Sequence, residues 1–195
     1  GFGRTGTFFA VEHDGIVPDM LLMGKGLNGG YVPAGAVAVS TAIVDRIRQA
    51  FSNFTHGYTF SHNPVVAAAC LEVVHILERE DLVRQSREEG AYLLERLREL
   101  SRFAFVGDVR GRGLLAGIEF VEDKATKKAF PRARKFVEEV VNRAFDNGLI
   151  LYPSIGCADG VDGDLVLVAP PFVVTREEID RILELLSKTL SEISS

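Results

Sequence analysis

Apolar residues recur with two different periods along this chain, and the period changes part-way. Met20, Leu21, Leu22 and Met23 form a short run that stops at Gly24, and residues 35–40 (Gly-Ala-Val-Ala-Val-Ser) form a second. Bounded by glycine and proline, both read as short buried strands. Residues 41–51 read as a helix, with Thr41 as its N-cap and Ile43, Val44 and Ile47 on one face. The segment 52–64 has no period. It gathers His56, His62, three aromatic rings and several hydroxyls, the composition of a loop placed for function rather than packing.

From 64 to about 102 the pattern is helical: Val66, Ala69, Val73 and Leu77, then Leu93, Leu97 and Leu100, recur at three or four residues. Glu80 and Arg84 stand at i,i+4 as a charge pair. One helix of that length would be unusual, so a break is expected near Glu80 and Asp81. This stretch reads as the connection between two lobes. The remainder reads as an α+β lobe. Residues 114–121 are strand-like, and Phe136, Val137, Val140, Val141, Ala144 and Phe145 form a helical stripe ended by Asn147 and Gly148. Residues 149–152 and 165–169 are short apolar strands, the second stopped by Pro170 and Pro171. Thr175 and Glu178 form a capping box that opens a last helix, with Ile179, Ile182, Leu183, Leu186 and Leu190 facing inward.

Composition narrows the class without naming a function. Hydrophobic residues make up 47% and charged residues 25% of 195 residues, which excludes a disordered, collagen-like or disulfide-dense chain. The net charge of −5 gives no electrostatic reason to expect nucleic acid or an anionic membrane as partner. The uncharged run 26–44 has the length of a membrane span but contains Asn28, four glycines, Pro33, Ser40 and Thr41. No signal peptide opens the chain, and Cys70 and Cys157 lie far apart with no CxxC spacing. A soluble protein of the reducing cytoplasm is expected, with Cys70 buried in its helix. The chain opens on Gly1 and its first methionine is Met20, unlike an ordinary translational start.

Glycine is the unusual part of the composition: eight of the 19 fall in the first thirty residues. The spacing GxGxxG occurs at Gly1, Gly3, Gly6 and again at Gly24, Gly26, Gly29, while Gly111, Gly113, Ala116 fit its looser form. A dinucleotide fingerprint must follow a strand and open a helix, with an acidic residue about twenty positions on. None of the three meets that context. Gly24-Lys25-Gly26 is not a P-loop either, because position 19 is Asp and no Ser or Thr follows the lysine.

Lys25 stands alone as a charge between Met20 and Val44, just after a strand and between two glycines. On the residues alone two readings stay open. One is a lysine on an exposed turn. The other is a nucleophilic amine, deprotonated in an apolar pocket, that attacks a carbonyl to form a Schiff base, with flanking glycines admitting a flat cofactor. His13, His56, His62 and His75 have no metal-ligand spacing, and no Ser/His/Asp arrangement emerges. His75 reads as structural; His56 and His62 are loop anchors or site-lining groups. Arg110 and Arg112 read as turn residues. Arg132, Arg134 and Lys135 read as a solvated helix face, with Lys124, Lys127 and Lys128 in the loop before it.

Six segments in order carry a resemblance. They are Gly-Phe-Gly-Arg-Thr-Gly at 1–6, Glu-His-Asp-Gly-Ile-Val-Pro-Asp at 12–19, and Gly-Lys-Gly-Leu-Asn-Gly-Gly at 24–30 with Pro33 to Val37 after it. Downstream come His-Gly-Tyr-Thr-Phe-Ser-His-Asn-Pro at 56–64, Arg-Gly-Arg-Gly-Leu at 110–114, and Ala-Pro-Pro at 169–171. Together they resemble the class III aminotransferases, fold-type I enzymes dependent on pyridoxal 5'-phosphate (PLP), over essentially the whole chain. The resemblance implies an α/β fold: residues 1–100 as the C-terminal part of the three-layer α/β/α PLP-binding large domain with a long helical connection, and 101–195 as a small α+β C-terminal domain. It implies that Lys25 forms the internal aldimine and then shuttles the substrate proton, and that Thr59 reaches the cofactor phosphate of a neighbouring subunit. It further places Tyr58 near the substrate at a dimer interface.

Two departures qualify this. The aspartate that pairs with the pyridine nitrogen precedes Gly-Phe-Gly-Arg-Thr-Gly in this family and is absent here, as are the upstream phosphate turn and the stacking aromatic. The chain therefore reads as the C-terminal half of such an enzyme. It is expected to work as a homodimer or paired with an N-terminal half, and to be inactive alone. The stretch 156–164 also lacks the mobile arginine with which many members recognise a substrate carboxylate. The expected activity is transamination between an amino donor and a keto acid. An aminomutase, racemase or decarboxylating relative, and a non-catalytic fragment, are the alternatives.

Overall fold

The two early apolar runs find each other. In a computed structural model that describes residues 1–194, Met20–Gly24 (β1) and Gly35–Val39 (β2) pair antiparallel, with Met20 opposite Val39 and Gly24 opposite Gly35. The strands are where the pattern predicts, but they are not buried: Leu22 is 77% exposed and Val37 57%. A two-stranded ribbon has two faces and two edges, and the pairing covers only one edge of each strand. The helix Thr41–Phe51 (α1) comes next, capped by Ser40 rather than Thr41, which is its first helical residue. Pro64–Arg79 (α2) opens on Asn63, whose side chain accepts from the Val65 and Val66 N–H groups, with Pro64 at the first position where its missing N–H is harmless.

The expected break comes at Glu80 and Asp81. Asp81 takes φ 51, and Leu82–Arg98 (α3) starts beyond it. Arg84 pairs forward with Glu88 rather than back with Glu80, because the break takes Glu80 off the helical ladder.

The remaining elements form a four-stranded antiparallel sheet in the order β3-β4-β6-β5, from Val106–Arg112 (β3), Leu115–Phe120 (β4), Tyr152–Ser154 (β5) and Asp164–Val168 (β6). Phe136–Asp146 (α4) and Arg176–Ser194 (α5) complete this part. The capping box is made: Thr175 N–H donates to Glu178 Oε2 and Glu178 N–H to Thr175 Oγ1. Leu93, Leu97, Leu100, Ile118, Val140, Val166, Ile179, Leu186 and Leu190 are all fully buried in one core. Phe145 departs from the α4 stripe and is exposed, and β5 begins three residues later than the apolar run predicts.

Packing divides the chain into two compact units. The first is Gly1–Gly3 with Thr7–Val83; the second is Arg4–Gly6 with the chain from Arg84 onward. The expected boundary at 100/101 therefore differs from the packing boundary. The α3 leucines belong to the core of the four-stranded sheet.

Candidate active site

Lys25 comes directly after β1, where Gly24 is fully extended at φ −168 and the chain then turns into a short 3-10 segment, Lys25–Asn28. Lys25 itself adopts φ 51, in the left-handed region that a residue with a Cβ enters only with strain. Asn28 closes the far end of the turn. It is 2% exposed; its Nδ2 donates to the Val32 carbonyl and its Oδ1 accepts from Gly30 N–H at 2.7 Å. These bonds engage both the nitrogen and the oxygen of that side chain, which is what a buried amide requires. The Lys25 side chain is exposed and, among the described residues, enters no ion pair or hydrogen bond. In this chain the amine therefore stands on an exposed turn, and no carboxylate lies near it in sequence from Met20 to Val44.

Tyr58 and Thr59 lie in the irregular segment between α1 and α2. Four rings at alternate positions, Phe54, His56, Tyr58 and Phe60, are exposed there. Phe54 stands 5.6 Å from His56 and His56 5.0 Å from Tyr58, each pair edge-to-face. Tyr58 N–H donates to Ser61 Oγ at 2.9 Å, and His62 takes φ 58 just before the Asn63 cap. The Thr59 hydroxyl has no partner among the described residues. Lys25 and this loop belong to the same unit, yet no hydrogen bond joins Lys25 to Tyr58 or Thr59.

A cavity of about 200 Å3 lies beside β1, lined by residues including Phe2, Phe9, Val11, Leu21, Met23 and Gly24. A larger concavity of about 570 Å3 runs along α1 and is lined by Ile43, Ile47, Ala50 and Phe51, with Arg46 the only charged group. It offers no nucleophile or base and lies on a different element from Lys25, so the chemistry of the site is not assigned to it.

Several side chains find partners that the sequence does not show. The Arg4 guanidinium donates to the Leu114 and Pro170 carbonyls and lies 4.5 Å over the Phe172 ring. Arg110 and Arg112 are strand residues of β3, and Arg110 pairs with Asp108 and Glu119. Arg132 is held by the fully buried Asp164 and by Glu138, and Arg134 by Glu139, so the basic cluster is paired rather than merely solvated. His75 is exposed beside Glu72. Cys70 is half-buried rather than buried, and both cysteines are free. No cluster of metal-ligating side chains exists among the described residues, and no described helix is long and apolar enough to cross a membrane.

Comparison with known proteins decides the family. A model of the aminotransferase class-III family matches residues 1–190. The chain belongs to that family. It is 41% identical over 194 residues to the uncharacterized aminotransferase YodT of Bacillus subtilis, covering 99% of this chain and 44% of YodT. It is 36% identical to the putrescine–pyruvate aminotransferase of Pseudomonas aeruginosa, over 100% of this chain and 41% of that protein. Among solved structures it superimposes with a TM-score of 0.88 on an amine transaminase from an uncultivated Pseudomonas species, in the PLP-bound internal aldimine form. That match has 34% identity and covers 98% of this chain and 42% of the other. The fold is α/β and corresponds to the C-terminal part of the PLP-transaminase fold. The class-III chain spans less than half the length of the relatives it matches.

Class-III aminotransferases use PLP, an aldehyde carrying a phosphate, and the residues present suit such a group. The chain offers a primary amine without an acidic partner at Lys25 and an unpartnered hydroxyl at Thr59. Two neighbouring glycines are informative. At Gly24 a Cβ would meet only the Ala34 carbonyl oxygen, at an ordinary 3.7 Å, and at Gly57 nothing within 4 Å. Neither takes the left-handed φ that would demand glycine. The packing of this chain leaves room at both positions for a closely approaching ligand.

Proposed function

We propose that the class-III chain is the C-terminal portion of a PLP-dependent aminotransferase that moves an amino group between an amine or amino acid and a keto acid. The observation that carries this reading is Lys25, an unpaired amine on a strained turn in a family that works through a lysine. Bound PLP supplies an aldehyde that condenses with amines and a ring that withdraws electrons from the attached carbon. Lys25 Nζ would be the nucleophile that holds the cofactor and, as a free amine in the same place, the base that would take and carry the proton of the substrate α-carbon. Thr59 binds the cofactor phosphate of a neighbouring subunit through its hydroxyl and N–H, and Tyr58 lines the substrate space beside it. The subunits pair as a homodimer.

Residues 1–100 are read as part of the cofactor-binding domain and 101–195 as the small C-terminal domain. Because the chain spans 41–44% of its relatives' length, activity is assigned to the whole subunit, with the isolated chain inactive until joined to an N-terminal half. Two free cysteines suit a reducing cytoplasm.

The test is a complete subunit, made by joining this chain to its N-terminal half, incubated with PLP, reduced with borohydride and digested. A pyridoxyl group on the Lys25 peptide is expected, and Lys25→Ala should take none. Equal cofactor labelling at the active site of Lys25→Ala sinks the assignment. Product analysis with an amino donor and a keto acid then reads the reaction. Exchange of the amino group supports transamination; inversion, migration or loss of carbon dioxide without exchange places the protein among the alternatives.

A further inference from the structure

We propose that Phe2, acting through Gly26, is the positioning residue that sets the Lys25 turn, an inference resting on the reading of Lys25 as the cofactor-bearing lysine. The starting observation is the strain. Lys25 has a Cβ and φ 51, a combination that persists only where the surroundings over-determine the backbone. Two groups do so. At the far end Asn28 is buried and bonded on both sides of its amide. Immediately after Lys25, Phe2 fills the space over Gly26: a Cβ placed on Gly26 would lie 3.2 Å from the Phe2 Cβ and 3.4 Å from its Cδ2.

Phe2 is itself fixed. It is 6% exposed, adopts φ 46, and its ring stands edge-to-face with Phe8 at 5.8 Å and Phe9 at 5.5 Å, rings that are 5.1 Å from each other. Gly3 N–H donates to the Phe8 carbonyl at 3.1 Å, so the Gly1–Gly3 turn is folded back on the same aromatic group. Three rings packed this way form a stiff platform with few accessible rotamers. The first glycine motif thereby acquires a role in this unit that its GxGxxG spacing did not suggest: it delivers an aromatic wedge to the lysine turn. A Cβ on Gly26 would press on the wedge, which would have to give by a few tenths of an ångström, in contrast to Gly24, where a Cβ meets only ordinary contacts.

A wedge that sets a nucleophile's backbone acts on how well the amine meets its target, and misplacement of about 1 Å lowers such a step by up to roughly a hundredfold. The experiment uses the complete subunit with PLP as probe, and three variants: Phe2→Ala, Phe2→Leu and Gly26→Ala. The readouts are the rate at which Lys25 takes a borohydride-fixed pyridoxyl group, the pH titration of bound-cofactor absorbance, and the melting temperature of the cofactor-free protein. Phe2→Ala and Gly26→Ala are expected to slow capture by roughly ten- to a hundredfold and to move the absorbance titration. Phe2→Leu, which restores most of the wedge, is expected to return both toward the parent values. Combining Phe2→Ala with Gly26→Ala should give less than the product of the two single effects, because both act on one contact.

Capture and titration unchanged in Gly26→Ala overturn the proposal, and that variant decides the matter if Phe2→Ala does not fold. Losses that track melting temperature alone, with no rescue by Phe2→Leu, overturn it as well. If Lys25→Ala itself still takes the label, the cofactor assignment fails first; if Lys25→Ala takes none while the three variants behave like the parent, only the wedge fails.

Discussion

Glycines in this chain separate into those that packing demands and those it does not, and the difference is visible one residue at a time. Gly90 lies where α3 meets the turn after β3: a Cβ there would sit 2.1 Å from the Gly113 carbonyl carbon, and one on Gly113 would sit 2.5 Å from the Thr5 carbonyl carbon. These two glycines let three backbone segments of the second unit touch, which accounts for the Arg-Gly-Arg-Gly and Arg-Thr-Gly motifs structurally. Gly90→Ala is expected to destabilise by about 3 kcal/mol in denaturant melts, since backbone cannot move aside as a flexible side chain does. Gly24→Ala and Gly57→Ala should behave oppositely. Stability is expected to stay within about 0.5 kcal/mol of the parent, while PLP binding by the complete subunit weakens, measured by cofactor absorbance titration. Equal binding by both variants would remove the argument that a ligand occupies that space.

Polar side chains tie the ends of two elements. Asn63 accepts two N–H bonds at the start of α2, and Asn63→Ala is expected to lower stability by about 1 kcal/mol. Asp164, at the start of β6, is 1% exposed and accepts from Val137 N–H in the first turn of α4 and from Arg132. Asp164→Ala leaves both donors short of a partner and is expected to cost about 2 kcal/mol, read as a shift of the denaturant midpoint.

Between α3 and α5, Asp180 accepts from the Tyr92 hydroxyl at 2.8 Å and from Arg96 Nε at 2.9 Å. The Tyr92 bond first, then the Arg96 bond, holds the Asp180 carboxyl below its ordinary 3.8, and the bond to Asp180 raises the Tyr92 phenol. The folded state therefore favours ionised Asp180. Its contribution is fully present above the ordinary aspartate value and fades as pH falls through the lowered one. Denaturant midpoints from pH 5 to 2 should show an acid limb that Asp180→Asn flattens; an unchanged limb would move the cause to other carboxylates.

Across the full chain the two units differ in how completely they bury themselves. The second closes around a continuous core in which Leu93, Leu97, Ile118 and Val166 are fully buried. The first leaves Leu22, Val37, Phe51 and Tyr58 exposed. Hydrogen exchange is expected to be slowest in β4, β6 and α3 and fastest in β1, β2 and the loop 52–63, because local opening is easiest where few apolar contacts are lost. Much of this architecture is legible in the sequence: the strand runs, the break at Asp81, the α4 and α5 stripes and the Thr175 capping box all depend on spacing and residue type within a few positions. The strand β3 is not legible, because its only buried side chains are Val106 and Val109 and a register shift between Val106 and Asp108 breaks the alternation. Distant partners are illegible for a related reason. Arg4 donates to carbonyls 110 and 166 residues away, and Arg132 to a carboxylate 32 residues away. At the candidate site the order of segments shared with the family is what singles out Lys25 and Thr59, an amine and a hydroxyl near glycines, as the proposed residues. That Lys25 is strained, exposed and wedged by Phe2 emerges only once the chain is packed, because backbone strain and burial are properties of the atoms surrounding a residue.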